Sequence, residues 1–201
     1  MAIILNIETA TKNCSVSIAE NGEVLVLKEL NDLNYSHAEK LHPFINEALK
    51  EAHIEIHQLD AVAVSKGPGS YTGLRIGVSA AKGICFAIDR PLISIETLRS
   101  LSTSISISEG VIVPMLDARR MEVYAAIFSA DYQLLRSIQA NIIDTTSFSE
   151  YLERGPVYFL GDGAEKCQPI LTHKNAIFVA DQFPSAAQMA QLSFDKFSQK
   201  E

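Results

Sequence analysis

Apolar residues near the N-terminus come in short runs, and further along the chain their spacing changes period. Residues 3–7, Ile-Ile-Leu-Asn-Ile, make a run of the length expected for a strand buried on both faces. The run at 14–19 and the alternating run at 23–30 flank Asn21-Gly22, a pair favoured in tight hairpin turns because both central residues need φ > 0. The chain therefore opens with three strands. At 36–52 the spacing becomes helical: Ala38, Leu41, Phe44, Ile45, Ala48, Leu49 and Ala52 fall on one stripe, with Ser36 and Glu39 placed as a capping box. Pro43 removes one ladder hydrogen bond and predicts a kink there. A strand at 60–64, a glycine-rich loop at 65–73, a helix to about 88 and a strand at 92–95 follow. This β-β-β-α-β-α-β order predicts a mixed sheet with helices on its faces.

The serine-rich stretch 100–108 reads as a junction between lobes, placing one lobe at 1–106 and a smaller one at 107–201. In the second, strands are expected at 111–116 and 122–128, bracketing Asp117-Ala118-Arg119-Arg120. Further strands are expected at 133–139 and at 157–160, the latter leading into Gly161-Asp162-Gly163. A helix after Pro184, capped by Ser185, is assigned to this lobe as its terminal helix. No internal sequence repeat is visible.

Composition narrows the class. With 201 residues, 47% of them hydrophobic, the chain can bury a core as one large domain or two small lobes. No apolar run approaches the roughly 18 to 20 residues that span a bilayer, and the first residues lack a basic leader, so a cytoplasmic protein is expected. Cys14, Cys85 and Cys167 lie far apart with no C-x-x-C spacing, which reads as reduced core thiols. The net charge is −7, with −3 in the first hundred residues and −4 in the rest. Arg119-Arg120 is the densest basic cluster, so a solitary grip on nucleic acid is not expected, because such a grip needs concentrated cations to displace phosphate counterions.

Candidate chemistry is sparse. Gly67-Pro68-Gly69-Ser70-Tyr71-Thr72-Gly73 follows a strand and opens a helix, where backbone N–H groups could receive a phosphate. It lacks the Lys-Ser/Thr ending of a Walker loop, and the same glycines serve a tight turn and close helix packing, which is the preferred reading. The helix from Gly73 to Ile88 carries only Arg75, Ser79 and Lys82 as polar side chains, so it needs cover on more than one side. Gly73, Gly77 and Ala81, with Ala80 alongside, form a small-residue strip. It predicts close approach of a partner helix, with packing against the helix at 36–52 as the alternative.

His37 and His42 are spaced five apart and point in different directions on a helix, whereas His53 and His57 fall near a helix end without a third ligand. Glu8-Thr9-Ala10-Thr11 stands where an actin-like ATPase has its phosphate loop, but without the glycine such a loop needs. Asp117 with Glu122 could be written as a carboxylate pair, and Ser70 with His37 and Asp60 as a triad. No Gly-x-Ser-x-Gly elbow supports the latter. No catalytic, cofactor-binding or metal-binding residue is therefore assigned.

Four segments carry a family resemblance: Ile7-Glu8-Thr9-Ala10-Thr11 with Cys14-Ser15-Val16; Ser36-His37-Ala38-Glu39; Lys66 to Gly77; and Asp117 to Tyr124. They resemble the TsaB (YeaZ) family, a glycoprotease-like branch of the ASKHA superfamily, over residues 1 to about 128. Glu8 departs from the aspartate usual in that family. The resemblance implies a two-lobed α/β fold of the actin/Hsp70/RNase H-like type, with a mixed sheet and flanking helices in each lobe. It implies a non-catalytic subunit of tRNA threonylcarbamoyladenosine synthesis that pairs with TsaD through the two helices of the first lobe and works with the ATPase TsaE. On that reading ATP and metal belong to partner subunits and tRNA is met only through the complex, while the isolated chain is left open between monomer and homodimer. The partner surface is expected at Leu41, Ile45, Leu49, Gly73, Arg75, Ile76, Gly77, Ala80, Ala81 and Ile84. The competing readings are a self-contained peptidase or ATP-dependent enzyme of the same fold, and a homodimeric binding module.

Overall fold

The structure, a computed structural model, describes residues 1–31 and 37–200. The expected cap at Ser36 lies outside the described residues. The chain divides into two compact units, one formed by Met1–Ser100 with the chain from Pro184 onward, the other by Leu101–Phe183.

In the first unit, β1 (Ile3–Glu8), β2 (Asn13–Glu20) and β3 (Glu23–Asn31) form an antiparallel meander, turning at Asn21 and Gly22 with φ of 51° and 88°. After α1 (His37–Glu51), which runs through Pro43, β4 (Ala61–Ser65) pairs parallel with β1. Then α2 (Tyr71–Ile88) leads to β5 (Leu92–Ile95), parallel to β4. The sheet order is β3-β2-β1-β4-β5. Because side chains alternate along a strand, Ile3, Leu5 and Ile7 of β1 face one way, with Val62 and Val64, into a core closed by Leu41, Ile45 and Leu49 of α1 and Ala81 and Cys85 of α2. Ile4, Ala61, Ala63, Ile93 and Ile95 face the other way. A central strand buried on both sides explains the unbroken apolar run that opens the sequence. Asp60, just before β4, accepts the Ile3 N–H at 2.8 Å and aligns the two strands.

After α3 (Thr97–Ser102), β6 (Val111–Asp117), β7 (Glu122–Ser129) and β8 (Leu134–Ile142) form a second antiparallel meander. Beyond α4 (Ser149–Leu152), β9 (Val157–Leu160) and β10 (Ala176–Val179) add in parallel, in the order β10-β9-β6-β7-β8. This repeats the order of the first sheet, strand for strand. The duplicated mixed sheet with flanking helices is the ASKHA-type arrangement the resemblance implied, although the two halves share no visible sequence repeat. The core of this unit centres on Phe159, with Phe148 edge-on at 5.4 Å and Phe178 stacked at 5.2 Å.

Two expectations are corrected. The boundary falls at 100/101 and not at 106/107, because Leu101 is already buried against Gly161 of the second unit. The last helix, α5 (Ala186–Gln199), belongs to the first unit. Its Met189, with Leu192, Phe194 and Phe197, covers the Ile4/Ala63/Ile93/Ile95 face of the first sheet. Ser185 does cap it, and the cap is tied to the meander: Ser185 Oγ donates to Glu29 Oε2 at 2.7 Å, Ala186 N donates to Ser15 Oγ at 3.0 Å, and Ser17 Oγ donates to the Ala186 carbonyl at 2.9 Å. A carboxylate at a helix N-terminus also meets the positive end of the dipole. Chain order places the helix after the second unit, but the open face it fills is in the first. No helix among the described residues is long and apolar enough to cross a membrane.

Because Met189 is fully buried in the first unit, Met189→Ala should lower the stability of that unit by about 2–5 kcal/mol in urea unfolding. Met121, at a turn of the second unit, should tolerate the same change with little loss.

Candidate partner interface

The glycine-rich segment is filled by the chain's own backbone. Ser70 caps α2, its Oγ accepting the Gly73 N–H at 3.3 Å. The loop after β1 lies across the first turns of this helix. The Ser70 N–H donates to the Ala10 carbonyl at 2.6 Å, Thr9 Oγ1 donates to the Gly73 carbonyl at 2.9 Å, and His37 Nε2 meets the Thr11 carbonyl at 2.7 Å. A Cβ on Gly69 would fall 2.3 Å from the Ala10 oxygen, on Gly73 2.1 Å from the Thr9 oxygen, and on Gly77 2.3 Å from Thr9 Oγ1. All three glycines are thus required by contact inside the first unit.

Glu8 anchors this joint from below. It is fully buried, and its Oε1 accepts from Ala10 N at 2.6 Å and Ser65 Oγ at 2.7 Å, while Oε2 has no partner. Burial pushes its carboxyl up to about 7, against the opposing pull of hydrogen bonds from Ala10, Ser65 and Thr9. Burial likewise lowers the His37 imidazole, so it stays neutral near pH 7.

The other sequence candidates are not brought together as catalytic sets. Ser70 caps a helix, His37 holds the Thr11 carbonyl and Asp60 aligns β1 with β4. Asp117 pairs with Lys166. Among the described residues, no group of three or more His, Cys, Asp or Glu side chains is placed to hold a metal ion.

The outer side of α2 is different. At about 100° per residue, Tyr71, Arg75, Ser79, Lys82 and Phe86 share one exposed line, opposite the glycines. Phe86 is 92% and Tyr71 75% exposed, and the Arg75 guanidinium lies 5.3 Å over the Tyr71 ring. Beside this line, α1 and α2 enclose a groove of about 730 Å³, lined by Ala38, His42, Thr72, Ile76, Gly83 and Ile84 among others. A Cβ on Gly83 would meet nothing within 4 Å.

Of the ten residues expected at a partner surface, Arg75, Ile76, Ala80 and Ile84 line the groove. Leu41, Ile45, Leu49, Gly73, Gly77 and Ala81 are buried in the first unit's own packing, which corrects the sequence reading. The small-residue strip admits the loop after β1 instead of a partner helix. Sequence reasoning missed Phe86, Tyr71 and Gly83. Their signal was present: they are what remains on α2 once its glycine face is assigned to the core.

Comparison with known proteins places these features in a family context. Residues 32–193 match the family model described as TsaD: tRNA N6-adenosine threonylcarbamoyltransferase. Over 96% of its length the chain is 27% identical to the tRNA threonylcarbamoyladenosine biosynthesis protein TsaB of Bacillus subtilis, covering 87% of that protein. Over 98% of its length it is 28% identical to TsaB of Haemophilus influenzae, again covering 87%. The fold is similar, with a TM-score of 0.86, to a crystal structure described as an uncharacterized protein with similarity to peptidase YEAZ from Pseudomonas aeruginosa. That likeness has 24% identity and covers 100% of this chain and 94% of the other.

The Glu8 environment gives a pH prediction. A folded value raised from 4.5 to about 7 means that the native state holds the extra proton between these values, so stability falls as pH rises through that window. Glu8→Gln keeps a neutral acceptor and should remove this slope, making the variant more stable than the parent above pH 7 by up to about 3 kcal/mol. Urea unfolding at pH 4.5, 6 and 8 reads the difference, and parallel curves for the two proteins would refute the assignment.

Proposed function

Because the chain belongs to the family described as TsaD: tRNA N6-adenosine threonylcarbamoyltransferase, a glycoprotease-like family that also takes in TsaB (YeaZ) proteins, we propose that it serves tRNA threonylcarbamoyladenosine biosynthesis as a non-catalytic subunit. It pairs with a TsaD-type catalytic subunit through α1 and α2 and works with the ATPase TsaE in the cytoplasm. Nucleotide and metal are supplied by those partners, and tRNA is met through the assembly. The observation that carries this reading is the groove between α1 and α2, flanked by an almost fully exposed phenylalanine. Leaving Phe86 and Tyr71 in water forgoes the stabilisation that burying aromatic surface brings, roughly 2 kcal/mol for a side chain of this size. A partner helix laid along the outer line of α2 would recover it.

A subunit role also accords with the first unit's interior. The position of a phosphate loop is taken by Thr9 and Ala10 on Gly69, Gly73 and Gly77, and Glu8 is fully buried beside them. A second copy of this chain could occupy the same groove by twofold pairing, and the test below separates the two occupants.

Gly83→Arg and Phe86→Ala should leave the fold intact, because neither position packs on its own unit. Each should weaken pairing with the catalytic subunit by about 2 kcal/mol, roughly thirtyfold, and slow threonylcarbamoylation in a reconstituted system. Gly77→Arg should instead abolish cooperative unfolding, since it collides with Thr9. If the Gly83 and Phe86 variants stay folded and pair normally, the interface lies elsewhere. If they disrupt only self-association, seen as a change in mass by light scattering, the groove holds a second copy.

A further inference from the structure

The turn between β6 and β7 places two arginines where a tight turn favours glycine or asparagine. Arg119 and Arg120 both adopt left-handed backbone, with φ of 71° and 48°. That conformation disfavours any residue with a Cβ, and glycine or asparagine is the unstrained choice at such positions. A clamp holds the turn. Lys166 pairs with the Asp117 carboxylate and donates to the carbonyls of Arg120 at 2.8 Å and Glu122 at 2.7 Å. Asp117 Oδ1 also accepts the Arg119 N–H at 2.9 Å, and Asp162 Oδ1 accepts the Asp117 N–H at 3.0 Å.

The Gly161-Asp162-Gly163 loop permits this clamp by coming very close. A Cβ on Gly161 would lie 2.2 Å from the Met115 oxygen, and one on Gly163 2.8 Å from the Leu116 carbonyl carbon. The product is a fixed knuckle with two exposed guanidinium groups. Neither arginine side chain has an ion-pair, hydrogen-bond or ring partner among the described residues. By contrast, Arg136 of the same unit lies over Phe148 and Arg154 pairs with Glu150.

We propose that this knuckle contacts the phosphodiester backbone of an RNA. The inference rests on the reading above, in which RNA is held by an assembly, and it assigns this chain a share of the grip. Guanidinium is planar, always charged and matched to two phosphate oxygens at once, and a backbone held in place loses less freedom on binding. The acidic surroundings limit the contact. Lys166 pairs with Asp117, but Asp162, which accepts the Asp117 N–H, and Glu122, at the start of β7, remain beside the turn. Only the arginine tips suit a phosphate, so one or two phosphates are engaged, and a chain of net charge −7 gains little from them unless a partner already holds the RNA.

The test measures binding of an unmodified tRNA transcript to the assembled complex across a range of salt. The double variant Arg119→Ala/Arg120→Ala should bind roughly tenfold more weakly and lower the slope of log K against log salt by about one to two. Arg119→Lys/Arg120→Lys should keep the slope, since the charge remains, while regaining only part of the affinity, since the planar fork is lost. Both variants should assemble normally. An alanine variant with wild-type affinity and slope overturns the inference alone. An alanine variant that loses protein pairing but not tRNA also overturns it, in favour of a protein contact. A wild-type assembly that binds no tRNA overturns this inference together with the proposed function.

Discussion

The fit of the loop after β1 against the first turns of α2 is the contact on which the first unit depends. Backbone meets backbone at Gly69 and Gly73, and Gly77 leaves room for the Thr9 side chain, so the three glycines make the approach possible. Thr9 and Ala10 bond directly to the helix N-terminus, and His37 brings the start of α1 to the same point. Glu8 closes the joint from within the sheet. Once α2 is fixed by this face, its opposite side must point to solvent, and that side carries Phe86, Tyr71 and the groove shared with α1. The exposed surface is thus a geometric consequence of the buried one.

The same reasoning gives the glycine-rich segment its meaning. A helix N-terminus with free N–H groups is a ready anion site. Here Ser70 and the carbonyls of Thr9 and Ala10 crowd that end, so the segment serves as a joint in the core. The second unit uses close glycine approach for a different end. Gly161 and Gly163 bring Asp162 and Lys166 under a strained turn, and the stiffness they create presents two arginines outward. In both units glycine works through what it lets approach, and the chemistry lies in the neighbouring side chains.

Much of the architecture was legible in the sequence because it is written in local spacing. The three opening strands, the Asn21-Gly22 turn, the two main helices of the first unit, the strand at 92–95 and the Ser185 cap all follow from periodicity and turn chemistry. So did the excess of apolar surface on α2, which pointed to a helix needing cover on two sides. β10 and α4 were not anticipated, whereas β5 and β9, equally short, are apolar runs that each follow a proline.

Tertiary structure decided what spacing cannot contain. Whether Gly77 or Gly83 faces outward depends on which side of α2 meets Thr9, a residue 68 positions away from one and 74 from the other, and both glycines look alike in the sequence. The terminal helix returns to the first unit because an apolar face of that sheet is open and Glu29 can receive its cap, not because of its place in the chain. The repeated sheet order arises from two sequences without visible similarity, since many side-chain sets satisfy the same alternation of buried faces. The sequence by itself determined the elements and their amphipathic faces; the long-range contacts decided which face of each is inside, and with it which residues are left exposed.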